Sequence, residues 1–434
     1  MINRMKRKQI ILTFLIFLGL GSLHAQEELS LGQAISRALE NNYQIRIGDL
    51  NVEIARNNNA WGTVGAYPSI NLGATNVNRF DDNSQGKSTT NSLSPNVSMN
   101  WRIFNGFSAR INKEKLEKLQ NLSEGNSRLV VENTLQAVVL GYYQVLLEKE
   151  KMKVLEKVMA LSRDRYEYEQ TRKELGNALT FDVLQAQNAY LNDSSNYIRQ
   201  KTNYHNAQRN LNQLMAVEVG SEFTLTGEFK PDYEKYELDS LEQKMLADNR
   251  NLRNQYINLE IMKKNVGIEK SALYPSLSLN SGYDYNTTRV NPNKGSVNTS
   301  DSYGYYANFS LSFNLFNGGN TRRNIKNARI DKRIAEVETR ELENQLRRNL
   351  RTTYEFYKVR KQLLAVSLEN IESADLNLRI AEDKFKAGTI NSFNYRDIQL
   401  TYLNAALSRL EAIYSLIDTH TQLMRLTGGI ISEY

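Results

Sequence analysis

The sequence is written twice. Residues 176–192 read GNALTFDVLQAQNAYLN and residues 388–404 read GTINSFNYRDIQLTYLN, an offset of 212 that lays Gly176 over Gly388, Phe181 over Phe393, Gln187 over Gln399 and Tyr190 over Tyr402. Upstream, ALENNYQIR (38–46) matches MLADNRNLR (245–253), and YPSINL (67–72) matches YPSLSL (274–279), both at offset 207. WRIFNG (101–106) then matches FNLFNG (313–318) at 212. The five-residue change falls between Tyr-Pro-Ser and Phe-Asn-Gly, so that stretch tolerates length variation as a surface loop does. Each half therefore runs helix, Tyr-Pro-Ser, polar middle, Phe-Asn-Gly, very long helix, glycine break, returning helix. The halves cover 26–218 and 238–427, joined by a linker at 219–237 that holds Gly220, Gly227 and Pro231, with a C-terminal tail at 428–434.

The long helices carry apolar lines of period seven. One half has Val131, Val138, Val145, Met152, Met159 and Tyr166; the other has Leu350, Tyr357, Leu364, Ile371, Leu378 and Phe385. The returning helices add Val183, Tyr190, Tyr197, Tyr204 and Leu211, then Leu403, Leu410, Ile417 and Met424. A strict heptad held this long makes helices supercoil through a narrow seam. No proline interrupts residues 109–172, which gives a rod on the order of 95 Å at 1.5 Å per residue. Such a rod does not fit a compact globule. Each glycine break becomes a hairpin tip, where the returning helix folds back along its partner.

Between the two motifs the period switches to two. Ala307, Phe309, Leu311, Phe313 and Leu315 oppose Asn308, Ser310, Ser312 and Asn314; Leu277, Leu279, Tyr283 and Tyr285 oppose Ser278, Asn280, Gly282 and Asp284. In the first half Ile70, Leu72 and Ala74 oppose Asn71, Gly73 and Thr75, and Val97, Met99, Trp101 and Ile103 oppose Asn96, Ser98, Asn100 and Arg102. Four strands of about ten residues, within about 68–104 and 275–316, are expected. One face suits lipid and the other water, with Trp101, Tyr283, Tyr285, Tyr303 and Tyr305 as interfacial aromatics. A soluble sandwich also alternates; the polar opposite face and the N-terminus favour the membrane.

That N-terminus reads MINRMKRK, IILTFLIFLGL, GSLHA. Basic residues, a short apolar run and small residues ending at Ala25 form a secretory signal over 1–25. The apolar run, residues 10–20, falls short of the roughly 20 residues that span a bilayer. The chain has no cysteine, so the mature N-terminus near Gln26 is expected without an acyl chain, and no disulfide framework exists. Arg4, Lys6, Arg7 and Lys8 leave with the signal, and the formal charge falls from +7 to +3. The remaining basic residues alternate with acids along helices, a solvated pattern and not a nucleic-acid footprint. Four strands cannot close a barrel, and open edges are not tolerated in lipid. The barrel must be shared: two chains give eight strands, whose interior side chains fill, whereas three give twelve and room for a channel.

This order of elements resembles the outer-membrane efflux protein family. The residues that carry the resemblance are LSLGQAISRALENN (29–42), the two Tyr-Pro-Ser strand starts, the two Phe-Asn-Gly exits, and the tips where Gly176 precedes Asp182 and Gly388 precedes Asn394 by six positions. The resemblance covers nearly the whole mature chain. It implies an α+β membrane protein, a homotrimer with a 12-stranded outer-membrane β-barrel and a periplasmic α-barrel of long antiparallel coiled-coil helices. It implies a passive exit duct, docked through its tips to a periplasmic adaptor and an inner-membrane transporter. Asp182 and Asp397 stand where the family's periplasmic constriction has acids. Phe385 and Ile390 stand where some members latch the closed tip with Tyr and Arg, and Asn394 where an acid is frequent. Tyr43 replaces the usual Pro after Glu-Asn-Asn.

Enzymatic chemistry finds little support. Beyond the signal the only histidines are His205 and His420, each isolated in a helix, and without cysteine no His/Cys metal site forms. NSQGKSTT (83–90) contains Gly86-Lys87-Ser88, but a P-loop's leading glycine position is Asp81 and the expected setting is a loop between strands. No catalytic, cofactor or metal site is expected, and nucleic acid is not an expected partner. An exported, non-pore coiled-coil or adhesion protein is the alternative.

Overall fold

The computed structural model describes residues 27–84, 86–231 and 235–433. The expected signal over 1–25 and its cleavage at Ala25 lie outside the described residues. The described residues form two compact units, one from residues 27–46, 131–231, 235–247 and 348–433, the other from 47–84, 86–130 and 248–347.

In the first unit, β1 (Glu27–Leu29) pairs in parallel with β4 (Phe223–Leu225), so the expected linker contains a strand. The Tyr142 hydroxyl donates to the Leu29 carbonyl at 3.0 Å and accepts from the Gly227 amide at 2.9 Å, tying that sheet to a long helix. Helix α1 (Leu31–Asn41) starts at a capping box: the Gln33 amide donates to Ser30 Oγ, and the Ser30 amide donates to Gln33 Oε1. Asn42 Oδ1 accepts from the Gln44 amide at 2.9 Å and so caps α2 (Tyr43–Asn58). Tyr43 therefore occupies the first helical position, where proline is also favoured, and the departure alters only that start.

The repeated hairpins are α3 (Ser108–Glu174) with α4 (Thr180–Leu214), and α7 (Asn320–Lys386) with α8 (Ser392–Leu426). Each long helix has 67 residues, about 100 Å of rise. The heptad line of α7 is buried at Leu350, Tyr357, Leu364, Leu378 and Phe385, and that of α8 at Leu403, Leu410, Ile417 and Met424. On α3, Val138 and Val145 are buried, but Met152, Met159 and Tyr166 are only half-buried. Towards its turn the buried line of α3 shifts to Val158, Ser162, Arg165 and Glu169. Their spacing of four, three and four is that of a coiled-coil seam, but three of the four are polar. Apolar periodicity could not reveal it. Helix α5 (Leu238–Asp248) precedes α6 (Arg250–Ser271), and the expected tail contains a short α9 (Ile430–Glu433).

The second unit holds an antiparallel sheet ordered β2 (Ser69–Asn83), β3 (Gly86–Asn105), β5 (Ser276–Pro292), β6 (Asn298–Ser312). These strands have 15, 20, 17 and 15 residues, longer than the ten expected. The apolar face runs from the Leu277–Leu311 pair to the Tyr285–Tyr303 pair, about 26 Å of strand, close to the roughly 25 Å outer band of a membrane barrel. Past that band both faces become mixed: Asn91 bonds Asn78 at 2.8 Å on the same face as Leu72, and Arg289 stands opposite Thr299, while Leu93 and Phe80 also lie on that face. The alternation ends there while the hydrogen-bonded ladder continues, which accounts for the extra length. β6 stops at Ser312, so Phe313 and Leu315 lie beyond the strand. Ile103 is the extra residue of a bulge, and Phe104 takes its place opposite Leu277. Gly86-Lys87-Ser88 lies inside β3 and not in a loop. An extended segment cannot wrap its amides round a phosphate, so Gly86-Lys87-Ser88 is no P-loop.

Candidate functional site

The two turns share one geometry. Gly176 and Gly388 adopt φ of 77° and 71°. The Gly176 amide donates to the Lys173 carbonyl at 2.9 Å and the Asn177 amide to the Arg172 carbonyl at 2.7 Å; Gly388 and Thr389 repeat this with Phe385 at 3.0 Å and Lys384 at 2.9 Å. These pairs are Schellman caps, which need a left-handed residue and therefore favour glycine. Asp182 Oδ2 accepts from the Leu179 amide at 3.2 Å, capping the start of α4, and Asn391 Oδ1 accepts from the Asn394 amide at 2.8 Å to cap α8. Sequence expectation placed Asp182 and Asp397 in one zone. Asp182 engages its own helix, Asp397 is exposed on α8, and no hydrogen bond or ion pair joins them among the described residues.

The turns are staggered. Arg165, eleven residues before Gly176, donates to the carbonyl of Ser392, four residues after Gly388, at 3.1 Å. Tyr168 packs on Phe385 with ring centroids 4.9 Å apart, eight and three residues before their glycines. A mismatch of five to seven residues sets the first turn roughly 8–10 Å beyond the second. The overhanging turn exposes Leu175, Leu179, Phe181 and Leu184.

Phe385 is core. It stacks on Tyr395 at 4.6 Å and belongs to a buried cluster with Val158, Leu378, Tyr402 and Leu403, while Ile390 packs at its edge. Neither side chain offers a polar atom for a latch. A different polar network lies beside them, and apolar pattern reading missed it. Arg396 donates through both Nη atoms to Asp193 at 2.7 and 2.9 Å and through Nη1 to Ser162 at 3.0 Å; Ser162 in turn donates to Asp193. Arg165 is 2 % exposed and Glu169 is fully buried. Burial, then the neighbouring Arg396, pushes the Arg165 guanidinium down to about 10. The only sequence signal for this network is charged and hydroxyl residues at seam spacing, which reads equally well as a solvated face.

With this geometry in view, the comparisons decide the family. A family model described as "Outer membrane efflux protein" matches residues 34–217 and 241–429, one segment for each repeat. The chain belongs to the outer membrane efflux protein family. This efflux-family chain is 22% identical over 372 residues to "Outer membrane protein TolC" of Vibrio cholerae, covering 84% of the chain and 83% of that protein. It is 20% identical over 393 residues to "Outer membrane efflux protein BepC" of Brucella suis, covering 90% and 81%. In fold it is similar to the outer-membrane channel OprN, with a TM-score of 0.75 at 15% identity over 92% of this chain and 90% of that one. The family is one of channels, and the chain is an outer-membrane protein.

Proposed function

We propose that the protein is the exit duct of a tripartite efflux pump or type I secretion system, a homotrimer that conducts passively from periplasm to exterior. The observation that carries this reading is the four-stranded sheet, with one lipid-compatible face and two unpaired edges, β2 and β6. In lipid each open edge must find a partner, and joining β6 of one copy to β2 of the next closes twelve strands from three chains. The helices point the same way. Besides its internal seam, α7 exposes Phe356, Val359, Leu363 and Val366 at spacings of three, four and three, and α4 exposes Phe181, Leu184, Leu191 and Ile198. A second apolar seam left uncovered within one chain suits neighbouring copies.

In this reading the staggered turns meet a periplasmic adaptor, which links the duct to an inner-membrane transporter. Exposed Asp397, repeated three times about the axis, forms the cation-attracting constriction, with Asp182 nearer the overhanging tip as a helix cap. Stepwise conductance from detergent-solubilised protein in a planar bilayer, with a native mass of three chains, is the expected result. A chain that never conducts supports the exported, non-pore coiled-coil reading instead.

A further inference from the structure

We propose that the base of the sheet's polar face is a binding site for the anionic group of solutes passing through the duct; the inference rests on the duct reading. A cavity of about 600 Å³ opens there, lined by Tyr67, Ser69, Asn100, Arg102, Ser278 and Asn280 among others. Its volume suits a drug-sized molecule. Arg102 supplies the only formal charge, and no carboxylate lines the cavity. Around the guanidinium stand amides and hydroxyls, which donate hydrogen bonds to an anion without adding charge of their own.

The register fixes where this cup faces. Arg102 lies opposite Ser278 and Asn100 opposite Asn280, on the face away from Leu279 and Phe309. Trp101, opposite Leu279 on the apolar face, closes the end of the cup, while its charge and its amides, Arg102, Asn100 and Asn280, lie on the face that meets passing solute. The wall formed by residues 62–68 is held in place: the Gly65 amide donates to Gly62 at 3.0 Å, the Ala66 amide to Trp61 at 3.1 Å, and Trp101 Nε1 to the Ala66 carbonyl at 3.0 Å. The cup is thus preformed, and little ordering cost opposes binding.

Charge compensation is distant. Among the described residues Arg102 makes no ion pair, whereas Arg79, farther along the same face, pairs with Asp81 at 2.7 Å. Asp284, the acid on the polar face of β5, lies six residues beyond Ser278, roughly 20 Å along the strand. That exceeds the Debye length of about 10 Å at 0.1 M salt. Within the lining of the cup the one formal charge is therefore positive.

The test is citrate block of single-channel current in planar bilayers at 0.1 M salt. Wild-type current should be blocked, and Arg102→Gln should need roughly 10- to 100-fold more citrate, the loss expected for one charge-assisted hydrogen bond. Asn280→Asp, which places a carboxylate in the cup, should weaken block as strongly, while Arg79→Gln should match wild type. Equal block in wild type and Arg102→Gln, or none in wild type, overturns the site while leaving the duct intact. Absence of any conductance overturns the duct reading. Calorimetry of citrate binding to solubilised wild type and Arg102→Gln then decides the site alone: heat lost in the variant supports it, and no heat from wild type overturns it. Tightly bound lipid phosphate in purified wild type that disappears in Arg102→Gln overturns the solute assignment in favour of a headgroup.

Discussion

Arg396 on α8 grips Asp193 on α4 through two parallel N–H···O bonds of 2.7 and 2.9 Å, joining the returning helices of the two repeats. Ser162 on α3 bonds to both, so three helices meet at one carboxylate. Arg165, buried beside them, adds a second guanidinium. Asp193 therefore pairs with Arg396 directly, and its charge, with that of Glu169, favours the charged form of Arg165 close by.

Removing that carboxylate should be costly. Asp193→Ala leaves Arg165 and Arg396 facing each other without their shared anion, and a loss of about 3–5 kcal/mol is expected. Replacing both partners, Asp193→Leu with Arg396→Leu, should lose less, because the repulsion between Arg396 and Arg165 goes with the pair and only Arg165, beside buried Glu169, stays charged there. Chemical denaturation of the three proteins checks this. A double variant less stable than either single variant would mean that the pair stabilises outright.

Gly176→Ala and Gly388→Ala should each cost about 1 kcal/mol, because a β-carbon in the left-handed region is strained. Both positions are sterically open, so strain and not collision sets the size. Gly176→Pro and Gly388→Pro lose the left-handed φ and also the amide that bonds Lys173 or Phe385. Assembly should survive in both, and adaptor-dependent export should fail. Export assays beside native mass measurement read the two effects apart, and a proline variant that no longer assembles would place its turn in a packed interior.

Phe385→Ala should cost about 3–5 kcal/mol, the usual loss for emptying an aromatic core position. Its ring sits against Tyr395 and Tyr168, and loosening there should leave conductance steps intact. Thermal unfolding followed by circular dichroism measures the loss. A shift within noise would place Phe385 outside the core.

Asp397→Ala should lower cation selectivity and relieve block by multivalent cations, with little change in stability, since the side chain is exposed in the protomer. Reversal potentials in a salt gradient check it. Identical potentials in variant and parent would place Asp397 on the outside of the helical assembly.

Alkaline stability should turn on Tyr414. Burial first, then Asp418, Glu411 and Glu148, pushes its phenol up to about 12. An acid whose folded pKa is raised keeps its proton in the native state while the unfolded chain ionises, so stability falls as pH rises from about 10 to 12. The loss should be on the order of 1 kcal/mol once solvent screening is allowed for. Tyr414→Phe should flatten that slope, and denaturation at pH 9 and pH 11.5 compares the two.

The repeat, the two glycine turns and the sheet with one apolar face were legible in the sequence because each depends on local rules. Heptads dictate a seam, alternation dictates faces, and a left-handed cap demands glycine. The apolar seam of the second repeat was legible from Leu350 to Phe385, with Ile371 only half-buried. The strand ends were not: past Tyr285 alternation stops although hydrogen bonding continues, and the ladder depends on a partner strand that no single strand specifies. Nor were the polar seam at Ser162, Arg165 and Glu169, the cup round Arg102 or the stagger of the turns. A buried charge reads in sequence like a solvated one. What separates them is whether a carboxylate 203 residues away along the chain, as Asp193 is from Arg396, arrives within 3 Å, and only tertiary packing decides that.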